Sequence, residues 1–187
     1  MDEDLVVLAQ QGDRGAFESL TLAHYTRLYR VAKSILRDQH KAEDATQQAL
    51  LDIWRYLRRL RDPSRFNGWS YRLLVHACYA EAKRKTPKVR EVELLAEDIA
   101  SAADDYRTVV DRDQVERAFR RLSLDHRAVI VLRHLQGMTP EEVADVLGVP
   151  RRTVYSRLRR AEASLKSALE ADARVPATST PRLKVVR

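Results

Sequence analysis

The 187-residue sequence predicts an all-α chain: two small helical domains joined by a flexible acidic linker. Three observations lead there. Apolar residues recur at helical spacing through residues 1–85 and again through 113–170, and no stretch alternates like a sheet strand. Capping residues stand where the periodic runs begin. Between the runs, residues 86–112 hold 7 acidic and 4 basic side chains, whereas the blocks on either side are net positive.

The elements follow in order. Asp4 to Gln11 is a short helix stopped at Gly12. Asp13 is placed to cap the next, in which Phe17, Leu20, Tyr25, Leu28, Ala32, Ile35 and Leu36 keep a helical period. A polar break, Arg37 to His40, leads to a third helix over Lys41 to Leu60. Its apolar members are Ala45, Ala49, Leu50, Ile53, Trp54 and Leu57. Asp62-Pro63-Ser64 makes a turn. A fourth helix starts between Ser64 and Asn67 and runs to about Lys85, with Phe66, Trp69, Leu73, Ala77 and Ala80 along one side; Pro87 ends it. Residues 86–112 are the linker, with room for one short helix around Leu94, Leu95 and Ile99. The second domain, 113–170, opens with helices over Asp113–Leu122 and His126–Leu135, with Ser123 as the cap between them. Residues 171–187 are Pro/Ser/Thr-rich and basic, the composition of a disordered tail.

The most informative stretch is Thr139 to Leu165. Thr139 is a natural N-cap, Pro140 suits the first helical position, and Glu142 completes a capping box. Val143, Ala144 and Leu147 form a narrow apolar face, and Gly148 supplies the left-handed residue that ends the helix. Val149 plugs the corner. Val154, Leu158, Ala161 and Leu165 then recur at i, i+4, i+7 and i+11. The opposite face carries Arg152, Tyr155, Ser156, Arg159 and Arg160. This is a helix-turn-helix whose basic second helix suits a DNA major groove. The plainer reading of the same residues is an αα-corner with a solvated basic face.

The charge fits a polyanionic partner. The formal net charge is +7, divided as +4 over 1–85, −3 over 86–112, +3 over 113–170 and +3 over 171–187. Two basic blocks suit a long polyanion touched twice. Cys78 is alone, which excludes an internal disulfide and a cysteine-rich metal site. The five histidines show no zinc spacing, and Gly12, Gly15 and Gly68 build no nucleotide loop. No cofactor, metal, catalytic residue or small-molecule substrate is expected. The acidic N-terminus and the lack of a long apolar run predict a cytoplasmic protein without membrane insertion.

The stretch KAEDATQQALLDIWRYLRRLRDPSRFNGWSYRLLVHACYAEAKRK brings in a family. It resembles region 2 of bacterial sigma factors of the two-domain, extracytoplasmic-function type. The pattern A-E-D-x-x-Q-(E/Q)-x-(F/L)-x-x-x-W is met by Ala42, Glu43, Asp44, Gln47, Gln48, Leu50 and Trp54, and F-x-x-W by Phe66 and Trp69. In the second domain, T-V-x-S-R-L-x-R-A is met by Thr153, Val154, Ser156, Arg157, Leu158, Arg160 and Ala161, as in region 4. The resemblance covers about residues 5–168.

It implies a sigma factor, which binds core RNA polymerase and directs initiation from promoters with −10 and −35 elements. Glu43, Asp44, Gln47, Gln48, Leu51 and Trp54 would dock on the β′ clamp helices, and the second domain would reach the β flap. Trp54 could equally be core. Arg58, Arg59, Arg61, Arg65, Arg72, His76, Tyr79, Lys83 and Arg84 would hold the −10 element, partly as single strand, where cationic grooves and aromatic stacking act together. Arg151, Arg152, Thr153, Tyr155, Ser156, Arg159 and Arg160 would contact the −35 duplex. An anti-sigma protein is an expected further partner. The sequence departs from the family at His76, where Asn is common, at Ala80 for Asp, at Arg152 for Gly, and at Tyr155 for Lys or Arg. Those departures leave its base preferences open. Two other classes stay open from the residues alone: a helix-turn-helix repressor or activator acting without polymerase, and an enzyme acting on nucleic acid.

Overall fold

The computed structural model describes residues 2–84 and 115–173; the expected linker, Pro87 and the end of the chain after Ala173 lie outside them. The first half holds α1 (Asp2–Gln10), α2 (Arg14–Leu36), α3 (Gln39–Tyr56) and α4 (Phe66–Lys83). The second holds α5 (residues 115–120), α6 (Leu124–Ile130), α7 (Pro140–Leu147) and α8 (Arg151–Ala173). Among the described residues there is no strand, so the all-α prediction holds.

Local chemistry sets the helix ends. Gly12 stops α1 at φ 100°, and the Asp13 carboxylate accepts from the Ala16 amide at 3.0 Å to start α2. Arg37 closes α2 in the left-handed region (φ 59°), its amide donating to the Lys33 carbonyl at 2.9 Å. A non-glycine residue there costs about 1–2 kcal/mol, so the backbone alone does not favour arginine at this position. Asp38 caps α3 immediately, accepting from the Lys41 amide at 3.0 Å. The break expected over Arg37–His40 therefore shrinks to two residues. At its far end α3 stops at Tyr56 and tightens into a 3₁₀ turn over Leu57–Arg59. Gln10 donates to the carbonyls of Leu57 (2.9 Å) and Leu60 (2.7 Å), which ties α1 to that end. The Asp62-Pro63-Ser64 turn is a second 3₁₀ turn, Pro63–Arg65, capped by Asp62.

Packing explains why α3 is rich in alanine. Ala42, Ala45 and Ala49 are fully buried where α3 crosses α2 and α4, so the backbones come close enough for small side chains to fill the seam. Thr46, also buried, returns its hydroxyl to the Ala42 carbonyl at 2.7 Å and leaves no donor unmade. Some expected core members sit elsewhere. Tyr25 and Ala80 are exposed, and Trp54 keeps about half its surface, with its ring edge against Phe17 at 4.6 Å. On α4 the expected Phe66 and Ala77 are buried, together with Ser70, Tyr71, Leu74, Val75, Cys78 and Glu81; Trp69 and Leu73 flank them half-buried. The buried surface is wider than one stripe because α4 packs on both α3 and α7.

In the second half Ser123 caps α6 by accepting from the His126 amide at 3.3 Å. The expected His126–Leu135 helix is α6 followed by a π-type turn over Val131–Leu135. The helix-turn-helix then forms as its residues require. The Thr139 hydroxyl accepts from the Glu142 amide (3.2 Å), and Glu142 Oε2 accepts from the Thr139 amide (2.7 Å). Gly148 ends α7 at φ 65°, and nothing lies within 4 Å of where a Cβ would stand, so only the backbone demands glycine. Val154, Leu158 and Ala161 are buried under α8, with Leu165 half-buried.

The two halves touch. Buried apolar side chains of both form one continuous cluster, with α4 against α7 and α2 against α6. Polar bonds cross the same seam. The Tyr71 hydroxyl donates to Gln136 and accepts from Arg27. Arg37 pairs with Glu116, and Arg127 reaches the Leu36 carbonyl at 3.4 Å.

Candidate nucleic-acid interface

The second helix of the helix-turn-helix presents a clean cationic face. Arg151, Arg152, Tyr155, Arg159 and Arg160 are exposed, with Tyr155 at 55 %. Thr153 and Ser156 are half-buried; the Ser156 hydroxyl donates to the Thr153 carbonyl at 3.0 Å, which leaves its oxygen lone pairs for an incoming donor. Arg151 also pairs with Glu141 at 3.0 Å, which fixes it beside the helix N-terminus. Arg157, one residue off this face, turns inward to Asp125 at 2.8 Å.

A second face belongs to α3. Asp44, Gln47, Gln48, Leu51 and Trp54 are exposed along adjoining turns, with Glu43 half-buried beside them. The polar members are lightly tied along the helix: Gln39 donates to Glu43 (3.1 Å) and Gln48 to Asp52 (3.1 Å). Leu51 and Trp54 each expose about half their surface, an apolar pair within a polar rim. That is the make-up of a protein-docking patch.

The third group spreads over the α3–α4 corner and down α4. Arg58, Arg59 and Arg61 are exposed, and Arg59 lies over the Tyr56 ring at 5.0 Å. Arg65 pairs with Asp62 at 3.5 Å. The Ser64 hydroxyl above all, helped by the Ser64 amide and Arg65, keeps the Asp62 carboxyl below its usual range despite the upward push of desolvation. Arg72, His76, Tyr79 and Lys83 fall at i, i+4, i+7 and i+11, one stripe of α4. His76 and Lys83 are exposed. Arg72 and Tyr79 are engaged by the second half. Arg72 Nε donates to the Asp145 carbonyl at 3.0 Å, and a second guanidinium nitrogen joins it. The Tyr79 hydroxyl donates to Asp125, and burial, then this bond, push its phenol above the ordinary range. Arg84 pairs with the buried Glu81 at 2.9 Å, which raises the guanidinium further. Glu81 is thus committed to Arg84.

Sequence reasoning did not find the seam residues Arg27, Arg37, Asp125, Arg127, Gln136 and Asp145. Their partners lie 44 to 91 residues away, and no local period marks them. Among the described residues no cluster of three His, Cys, Asp or Glu could hold a metal, and no helix is long and apolar enough to cross a membrane.

Comparison with known proteins matches the two halves separately. Residues 20–87 fit the family model "Sigma-70 region 2", and residues 112–165 fit "Sigma-70, region 4". The ECF RNA polymerase sigma factor SigM of Mycobacterium tuberculosis is 34 % identical over 164 residues, 88 % of this chain and 82 % of that protein. Among solved structures, CnrH in complex with the cytosolic domain of CnrY is similar at a TM-score of 0.67 and 26 % identity, over 91 % of this chain and 98 % of that one. RpoE of Bartonella quintana, solved with the anti-sigma factor NepR, shares the fold at a TM-score of 0.66 and 23 % identity, over 83 % and 98 %.

Proposed function

This chain belongs to the sigma-70 family, as a sigma factor of the extracytoplasmic-function type, and from that premise we propose how its surfaces share the work of initiation. The exposed α3 face, with Asp44, Gln47, Gln48, Leu51 and Trp54 beside Glu43, docks on the β′ clamp helices of core RNA polymerase. The second half reaches the β flap and lays α8 in the −35 major groove. Arg152, Tyr155, Arg159 and Arg160 face base edges and phosphates there, with Arg151, Thr153 and Ser156 at the near rim. The α3–α4 corner, from Arg58 to Arg65, and the α4 stripe from Arg72 through His76 and Tyr79 to Lys83 and Arg84 hold the −10 element. Polymerase makes the RNA; the chain is not itself an enzyme and works in the cytoplasm. A protein partner holds it inactive, as CnrH is seen with the cytosolic domain of CnrY.

One observation carries the division of labour. The α8 face is solvent-exposed and cationic while Val154, Leu158 and Ala161 anchor its back, so DNA can be met without unpacking the domain. The test is transcription in vitro by core polymerase on genomic fragments, with and without the protein. Defined start sites that need the protein are expected, each with shared −10 and −35 sequences upstream. Specific duplex binding with no initiation would favour a repressor or activator instead.

A further inference from the structure

Beneath the seam lies a cleft of about 730 Å³, lined by Leu36, Arg37, Asp38, Lys41, Tyr79, Ala82, Lys83, Arg120, Leu124 and Arg127. Its size is that of a small-molecule pocket. Its polar lining is mostly cationic: Arg37, Lys41 and Lys83 from the first half, Arg120 and Arg127 from the second. The nearby carboxylates are already used. Asp38 accepts from the Lys41 amide as the α3 cap, and Glu116 is shared between Arg37 and Arg120, the latter at 3.4 Å. Among the described residues that line the cleft or pair with its cations, five cations against these two acids leave an excess of three positive charges.

Two donors in the cleft wall are unmet. Arg37 Nε and Arg127 Nε are both buried from solvent and have no hydrogen-bond partner. Buried donors are almost always paired, so two unpaired guanidinium nitrogens beside one cleft mark a place short of acceptors among the described residues. Arg37 is also the residue held at φ 59°, where glycine would sit without strain. Burial, then Arg120 and Arg127, hold the Arg37 guanidinium down to about 10; an anion between them would offset the repulsion from the two arginines. A single carboxylate brings one negative charge against that excess. Phosphate groups in a chain offer several acceptor oxygens at arginine's bidentate spacing.

We propose that this cleft binds a compact polyphosphate anion, inorganic or as the phosphate chain of a nucleotide, which bridges Arg37 and Lys41 of the first half to Arg120 and Arg127 of the second. Because its ligands come from both halves, the anion favours the closed arrangement over any in which they part.

The full-length protein is titrated with inorganic tripolyphosphate and, separately, with a nucleoside triphosphate by calorimetry at physiological salt. One site is expected. Arg120→Gln, at a half-exposed side chain whose loss leaves the core intact, weakens binding at least tenfold, as does Lys41→Gln. Arg14→Gln and Arg30→Gln, the same charge change at exposed positions of α2, alter it less than twofold. Equal affinity for the two probes assigns the site to the phosphate chain alone; tighter nucleotide binding assigns it to nucleotides. Absence of binding overturns the proposal, as does equal weakening by the α2 controls, which marks a general charge effect. So does binding that emerges only when the seven acids of residues 86–112 are neutralised, because the linker would then be the occupant.

Discussion

Asp125 is the point at which the closed arrangement can be tested with one atom. Its carboxylate accepts from the Tyr79 hydroxyl across the seam and pairs with Arg157 at 2.8 Å within its own half. Asp125→Asn keeps the shape and removes the charge. A hydrogen bond to a charged group is worth about 1.5–3 kcal/mol. The Arg157 pair is partly exposed, 25 % and 41 %, so solvent screening reduces it to about 0–1 kcal/mol, and it does not itself bridge the halves. The amide still accepts from Tyr79, so about half the charged bond is lost, roughly 1–1.5 kcal/mol. That is about a tenfold shift from closed to open. Dyes on cysteines introduced at positions 14 and 166, both exposed, read the separation; the native Cys78 is buried and does not compete for label. The open fraction should rise about tenfold if the closed form dominates. Apparent affinity for a single-stranded −10 oligonucleotide should rise with it, since affinity scales with the competent fraction. Glu18→Gln, the same charge change on exposed α2, controls for general electrostatics. An unchanged separation and unchanged affinity in Asp125→Asn would refute the view that this bond holds the halves together.

Other expectations follow from single sites. Asp44→Lys should weaken binding to core polymerase at least tenfold with no change in melting temperature, read by competition against a labelled sigma factor; unaltered affinity would remove α3 as the docking face. His76→Ala should alter the −10 base preference in a selection of randomised promoters and leave the −35 preference alone. Gly148→Ala should cost about 1–2 kcal/mol in urea unfolding, because φ 65° strains an L-residue although space is free. Burial pushes the Cys78 thiol up to about 12, so above pH 9 the unfolded chain loses a proton that the folded chain keeps. Stability should therefore fall from pH 9 towards 11 by up to about 1.4 kcal/mol per unit from this group, and Cys78→Ala should flatten that limb in denaturant titrations.

Much of the fold was legible because its signals are local. The capping box at Thr139–Glu142, the left-handed Gly148, the Asp13 cap and the Val154–Leu158–Ala161 stripe each lie within one or two helical turns, and each forms as read. The departures have physical causes of their own. On α4 the expected Phe66 and Ala77 are buried, Trp69 and Leu73 are half-buried and Ala80 is exposed, but the buried set also takes in Ser70, Tyr71, Leu74, Val75, Cys78 and Glu81. A helix packed on two sides buries more than one stripe, and a serine or tyrosine can belong to it when its hydroxyl finds a partner, as Ser70 does at the Asn67 carbonyl (2.8 Å). The π-type turn at Val131–Leu135 leaves no compositional mark, and the break before α3 was overestimated because Asp38 caps it at once. The seam between the halves was illegible for a different reason: its bonds join residues far apart in sequence, and a helical period reports only that a face is buried, not what buries it.

The stripe on α4 then poses a choice for the molecule. Arg72 and Tyr79 are occupied by Asp145 and Asp125, while His76, between them, is exposed. The same side chains are those proposed to hold −10 DNA, so one set of donors serves two acceptors, a neighbouring domain or a nucleic-acid strand. Both acceptors are anionic or carbonyl oxygen, and the exchange of one for the other is close to neutral in hydrogen bonds. What separates the two states is therefore the apolar surface of α4 and α7 that opening exposes, set against the polymerase and promoter contacts proposed for the open state. Free protein, with nothing to offset that exposure, should remain closed; under the proposed docking of both halves at separate places, core polymerase supplies the difference.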